Sequence, residues 1–219
     1  MQRILVCDTE TTGVDDPILI TEVAWCEVED DLDIVEEFCT LVNPGVPIPC
    51  VASGISGIRT EDVVQEPSIH DIKFPDGEII FIGHNTAYDI PLLSPYMNII
   101  SDICTLLLAR RLLPNAPSHA LSALSCYCGL PRQLSHRAYG DVRDCLGLLD
   151  FMMRDNDMNL QEIYDYYHTS YCYKYMPWGK HRGTKIQDLP SGYLKWLTKE
   201  PKLDKDMKYT LKTVFGIEV

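Results

Sequence analysis

No apolar run in these 219 residues approaches the ~20 residues that a bilayer-spanning helix needs. Met1-Gln2-Arg3 leads straight into a strand-like run rather than a signal peptide's apolar region, so a soluble protein is expected. Internal repeats and low-complexity tracts are also missing. Cys126 and Cys128 stand C-x-C, with no second Cys or His pair at zinc-finger spacing. The nine cysteines are odd in number, and Cys7, Cys26, Cys39, Cys104 and Cys145 lie inside apolar stretches. Reduced core thiols in a cytosolic compartment are therefore expected rather than a disulfide framework. Basic side chains are scarce over residues 1–170, which hold 9 Lys and Arg against 27 Asp and Glu, a formal −18. Residues 171–219 reverse the balance with 10 against 5, a formal +5. A polyanion should therefore be drawn to the tail rather than to the body.

At 46% hydrophobic side chains the chain suffices for one full domain and a small appendage. Its organising stretch is Ile4-Leu5-Val6-Cys7-Asp8-Thr9-Glu10-Thr11-Thr12-Gly13, an apolar run broken by two acids two residues apart. Strand side chains alternate faces, so Asp8 and Glu10 project together from a strand that is otherwise core. Two readings are open on these ten residues alone. Either the strand ends early and both acids turn into solvent, or a divalent cation offsets the cost of two neighbouring buried charges.

Ile18–Cys26 and Ile34–Val42 read as further strands, forming with the first an antiparallel meander whose acidic link, Glu27–Asp33, is a solvated hairpin tip. Glu22 interrupts the second run as an isolated acid, with a place near the site as one reading and an outward-facing strand position as the expected one. Val51–Val64 reads weakly as short helical pieces. A fourth strand, Glu78–Gly83, leads to Asn85, read as the N-cap of a helix that carries Asp89 in its first turns, where α/β sheets gather ligands. After a fifth strand, 99–104, helices are expected over Thr105–Leu113, Ser118–Cys128, from about Val142, and from Asn159 to Tyr167. His136 then lies in a loop and Asp141 near the first turn of the helix that follows. Asp144 is expected to pair with Arg143 or the helix end. Tyr173–Ile186 reads as a hairpin turning at Gly179–Gly183, and two short helices close the tail.

Three motifs stand out: Asp8-Thr9-Glu10-Thr11-Thr12-Gly13, Gly83-His84-Asn85-Thr86-Ala87-Tyr88-Asp89 and His136-Arg137-Ala138-Tyr139-Gly140-Asp141. In order and spacing they resemble those of the DEDD superfamily of 3′→5′ exonucleases, in the branch whose third motif carries His (DEDDh). Met176–Gly183 followed by Tyr193–Leu197 resembles the small C-terminal element of a bacterial DNA exonuclease of that branch, so the likeness covers almost the whole chain. It implies an α/β, ribonuclease-H-like fold over residues 1–170: a five-stranded mixed β-sheet, three strands antiparallel and two added in parallel, flanked by α-helices. A small α+β element follows over residues 171–219. The implied activity is metal-dependent hydrolysis of phosphodiester bonds from the 3′ end of DNA, single-stranded or duplex, releasing nucleoside 5′-monophosphates. The implied location is the bacterial cytoplasm, or a host's cytoplasm if the source is viral.

Four carboxylates can hold two Mg²⁺ or Mn²⁺ ions roughly 3.5–4 Å apart, and hard oxygen donors argue against zinc. By resemblance Asp8 bridges both ions, Glu10 and Asp141 complete the one on the nucleophile side, and Asp89 serves the other through water. His136 would be the general base, since an ordinary histidine pKa of about 6.5 suits proton abstraction near neutral pH. Thr11, Thr12 and Asn85 are candidate contacts to the terminal nucleotide. Lys180 and Arg182 are candidate contacts in the basic tail, with Tyr175 and Trp178 interleaved. Two departures are visible: Ile55-Ser56-Gly57-Ile58 stands where the family often has Ile-His-Gly-Ile, and Pro91 falls inside the helix after Asp89. An exoribonuclease would keep every residue named, so RNA is the alternative substrate. A non-catalytic proofreading accessory to a polymerase should have lost a carboxylate, and this chain has lost none.

Overall fold

The computed structural model describes residues 2–131, 136–201 and 203–219. Strands β1 (Gln2–Thr11), β2 (Ile20–Val28) and β3 (Ile34–Leu41) form the expected antiparallel meander. Short helices α1 (Cys50–Ser56) and α2 (Thr60–Val63) follow. Strand β4 (Glu78–Gly83) then leads through α3 (Thr86–Leu93) to β5 (Asn98–Cys104). Helices α4 (Thr105–Leu112), α5 (Leu121–Tyr127), α6 (Ala138–Asp155) and α7 (Leu160–His168) complete the body, with α8 (Ser191–Leu197) and α9 (Lys205–Phe215) in the tail. The strand order is β3-β2-β1-β4-β5, with β4 and β5 parallel to β1. This is the ribonuclease-H-like arrangement, with β1 at the centre.

Both faces of the sheet are covered, which is why β1 reads as a nearly continuous apolar run. Val6, Ala24, Cys26, Ile82 and Ile103 pack against α4, α6 and α7 on one face. Leu5, Cys7, Val23, Trp25 and Phe81 meet Leu93 and Met97 on the other. Along β1 the face carrying Ile4 and Val6 continues to Asp8 and Glu10, so the two acids extend the core row toward the start of α6. That helix forms because Val142, Cys145, Leu149 and Met152 recur at helical spacing, all buried.

The tail packs around a cluster of its own, comprising Tyr173, Met176, Ile186, Leu189, Leu197, Leu203, Met207 and Leu211. The hairpin expected over Tyr173–Ile186 contracts to a single antiparallel bridge, Tyr175 with Lys185. Pro177 cannot donate to a ladder, and a 3₁₀ turn at Gly179–His181 takes up the next residues, entered through the positive φ of 70° at Gly179. Two adjacent arginines of α4 fasten the tail to the body. Arg110 pairs with Asp204 at 2.9 Å, and Arg111 grips Asp206 through Nε and Nη2 at 2.7 and 2.6 Å. The Arg111 guanidinium also donates to the carbonyls of Tyr166 and Thr169, and both partners of its ion pair are almost wholly buried. Asp206→Ala strands that cation in the interior, where loss of one partner costs about 3–5 kcal/mol. Urea unfolding followed by tryptophan fluorescence should show the tail melting first; an unchanged midpoint would mean that the pair carries no weight.

Candidate active site

Beyond Val6, β1 has no strand partner on its β4 side, because β4 ends at Gly83 and the chain turns away into α3. Gly83 is needed there: a Cβ would lie 2.9 Å from the Phe81 ring and 3.2 Å from the Cys7 carbonyl. The gap lets α3 return Asp89 against the bare edge of β1. Asp89 Oδ1 accepts from the Thr9 backbone N–H at 3.1 Å and from its hydroxyl at 2.7 Å. Asp89 is 3% exposed. From the other side α6 brings Asp141, whose Oδ2 accepts the His136 backbone N–H at 3.2 Å. Oxygens of Asp8, Glu10 and Asp141 all lie within 4.8 Å of one another. Asp8 and Glu10 thus stay within β1, half-buried and facing Asp141, rather than turning into solvent.

Burial raises the pKa of all four acids, and at Asp8 and Glu10 the neighbouring carboxylates add to it. Burial, then Asp89, Asp141, Glu10 and Glu22, hold Asp8 well above the carboxylate range. Burial and then Asp141 lift Glu10 to about 7, and burial lifts Asp141 to about 6. Asp89 is also raised by burial, against which its Thr9 bonds act. Crowded carboxylates that resist ionising suit a site completed by cations. A set made only of oxygen donors fits Mg²⁺ or Mn²⁺.

His136 is exposed, with a positive φ of 60°, and sits two residues before α6. Thr11 and Thr12 are buried and engaged: the Thr11 hydroxyl meets Tyr88 Oη at 2.7 Å, and Thr12 Oγ1 accepts the Leu19 N–H at 3.1 Å. Asn85 stands at the N-cap position of α3 in the left-handed region, but its exposed side chain makes no capping bond, contrary to the sequence reading. His84, in the same motif, is tied to Thr105 and to the His119 carbonyl, and burial lowers its pKa to about 4. Lys180 is exposed, whereas the Arg182 guanidinium donates to the carbonyls of Ala116 and Pro117 and so helps dock the tail.

Glu22 overturns its sequence reading. Cross-strand from Glu10 on the same face, it is 1% exposed. Both of its oxygens take the Arg137 Nε at 3.1 Å, Oε1 takes Nη2 at 2.6 Å, and Oε2 accepts the Ala138 N–H at 2.8 Å. An acid from β2 thus caps α6, whose own cap residue Arg137 supplies no side-chain bond. It fixes the residue that follows His136. Asp144 differs as well: it is buried, and Arg143 reaches instead to Glu37 at 2.8 Å. At the first of the two departures, the buried Ser56 hydroxyl closes the end of α1 onto the Ala52 carbonyl. Pro91 lies inside α3.

Comparison with known proteins is consistent with this geometry. The family model described as "Exonuclease" matches residues 5–149, and one described as "Putative quorum-sensing-regulated virulence factor" matches residues 169–219. Exodeoxyribonuclease 10 of Escherichia coli K12 is 30% identical over 222 aligned residues, 97% of each chain. A DNA polymerase III subunit epsilon-like protein of Rhodobacter capsulatus is 31% identical over 157 residues, of which this chain spans 22% of the length. Among solved structures, exonuclease X in complex with 5′ overhanging duplex DNA superposes with a TM-score of 0.61 at 28% identity, covering 74% of this chain and 98% of that one.

Proposed function

We propose, from the premise that this chain belongs to the exonuclease family matched over residues 5–149, that it removes nucleotides from the 3′ end of DNA as nucleoside 5′-monophosphates. Family members are nuclease hydrolases that depend on divalent metal. The observation that carries the finer reading is the convergence of Asp8, Glu10 and Asp141, with Asp89 against the bare edge of the same strand. These four would hold two Mg²⁺ or Mn²⁺ ions, which when bound activate the attacking water and stabilise the leaving 3′ oxygen. His136, exposed beside Asp141, takes the proton from the water. Glu22 and Arg137 hold the backbone on which His136 sits. Thr11 and Thr12, locked by Tyr88 and Leu19, shape the floor for the terminal nucleotide, with Asn85 at its rim. The reading divides the chain into an exonuclease unit over 1–170 and a basic element over 171–219, with Lys180 freer than Arg182 to meet phosphate. No helix among the described residues is long and apolar enough to cross a membrane, and a cytoplasmic location is part of the proposal.

The test is incubation of the purified chain with 5′-labelled single-stranded DNA, duplex DNA and RNA, with and without Mg²⁺ or Mn²⁺. A 5′-anchored ladder on DNA that requires metal supports the reading. A ladder only on RNA moves the substrate to the alternative, and cleavage without metal removes the cation site.

Stability provides a further check. Glu10 and Asp141 have folded-state pKa values above the usual 4.5 and 3.8, so the folded state binds the extra protons. Their contribution is full below about pH 4 and is lost as pH rises through 6 to 7. Metal-free protein should therefore lose Tm across that window. Millimolar Mn²⁺ should restore it more at pH 7.5 than at pH 5, since metal binds only the folded site and competes with protons. An equal metal shift at both pH values would contradict this.

A further inference from the structure

The tail's core closes without Trp196. Trp178 and Tyr193 pack at the edge of that cluster, whereas Trp196 lies outside it, 49% exposed, with its ring stacked on Tyr193 at 5.2 Å and 25°. On the same helix Leu197 points fully inward, so the exposure of Trp196 is not a failure of α8 to find its apolar side. Two clefts meet at this indole. One, of about 640 Å³, is lined by Trp178, Lys180, His181, Tyr193 and Trp196. The other, of about 840 Å³, shares Trp178 and Trp196 and runs along the seam between tail and body to Asn85 and Tyr88, at the start of the helix that carries Asp89. A continuous groove therefore leads from the start of α3, the helix that carries Asp89, to an aromatic platform beside Lys180. Two acids along the seam are engaged: Asp204 pairs with Arg110, and Asp102 accepts from Thr86 and Tyr167. Pairing Asp204 and Asp206 with body arginines also leaves the tail's lysines in greater excess.

We propose that this groove is a second nucleotide subsite, in which an unpaired base of the DNA strand stacks on Trp196 while Lys180 meets its phosphate. The occupant is single-stranded nucleic acid because the platform offers π-faces with few hydrogen-bonding groups, in the part of the chain that carries the positive charge. The inference rests on the function proposed above and adds a site remote from the reacting bond. Base stacking is worth about 1–3 kcal/mol by alanine substitution, or roughly 5- to 150-fold.

The test uses the full chain and Trp196→Ala, with Trp196→Phe as the conservative partner. For a 20-nucleotide single strand, Trp196→Ala should raise KM at least fivefold with little change in kcat, and Trp196→Phe should restore most of the loss. Hydrolysis of the p-nitrophenyl ester of thymidine 5′-monophosphate, too short to reach the tail, should be the same in all three proteins. Its absence from the parent would sink the nuclease reading itself. Heparin, a polyanion without bases, should bind parent and Trp196→Ala alike. A KM within 1.5-fold of the parent on the long strand, or an equal loss of heparin affinity, would overturn the stacking site.

Discussion

Asp8→Asn should abolish hydrolysis, lowering the rate on single-stranded DNA in Mg²⁺ by on the order of 10³-fold or more, while the protein stays folded. Asp8 lies between Asp89 on one side and Glu10 and Asp141 on the other, and burial together with these neighbours already disfavours its charge. An amide of nearly the same shape removes a repelled charge from the metal-free protein, so its Tm without metal should equal or exceed the parent's. The same change removes one proposed ligand from the cluster with Glu10 and Asp141, and a metal ion's stabilisation of transition-state charge is worth several kcal/mol, about tenfold in rate for each 1.4. Loss of activity, loss of the metal-induced Tm rise and retention of the metal-free Tm should appear together. Near-parent cleavage in Mg²⁺ would remove Asp8 from the centre of the mechanism.

The next largest effect is expected at His136. His136→Ala should lower kcat by about 10²- to 10⁴-fold with a smaller effect on KM, and the pH–rate profile should lose its acidic limb. A backbone contribution must be separated from this, because His136 has a positive φ, where alanine is strained. Asparagine tolerates that region better but cannot serve as the base. If chemistry is the cause, His136→Asn should be as inactive as His136→Ala and more stable. A His136→Asn variant that keeps its rate and its acidic limb would make His136 a loop residue held for its backbone N–H alone.

What was legible in the sequence was whatever made a local anomaly. Asp8 and Glu10 interrupt an apolar run, Asp89 follows directly from a strand end, and Asp141 opens an amphipathic helix; each stands out within ten residues. The five strands and their meander were legible for the same reason, since alternation and tight turns are local signals. Glu22 was misread because a single acid in a strand looks outward-facing, and what buries it, Arg137, lies 115 residues away. Only the β1–β2 register, which sets Glu22 opposite Glu10, brings that arginine within reach. Asp144 was misread because its adjacent arginine had a better partner across the fold in Glu37. In the tail, composition showed basic and aromatic residues mixed. It could not separate Arg182, used for docking, from Lys180, or Trp178, which lies 4.4 Å from Arg110, from the half-exposed Trp196.

The Glu22–Arg137 pair also sets a formal charge count. Arg137 stands next to His136 in the chain and cancels Glu22, a buried acid beside the site that is not among the proposed metal ligands. Asp8, Glu10, Asp89 and Asp141 are then left with a formal −4, which two divalent cations match. A loaded centre is formally neutral within a body that carries −18. An arriving phosphodiester would therefore meet the body's repulsion along its approach but not at the carboxylates themselves. Replacing Arg137 with a neutral residue would leave the centre one unit negative even when fully loaded, repelling the substrate at the point where the bond is cut.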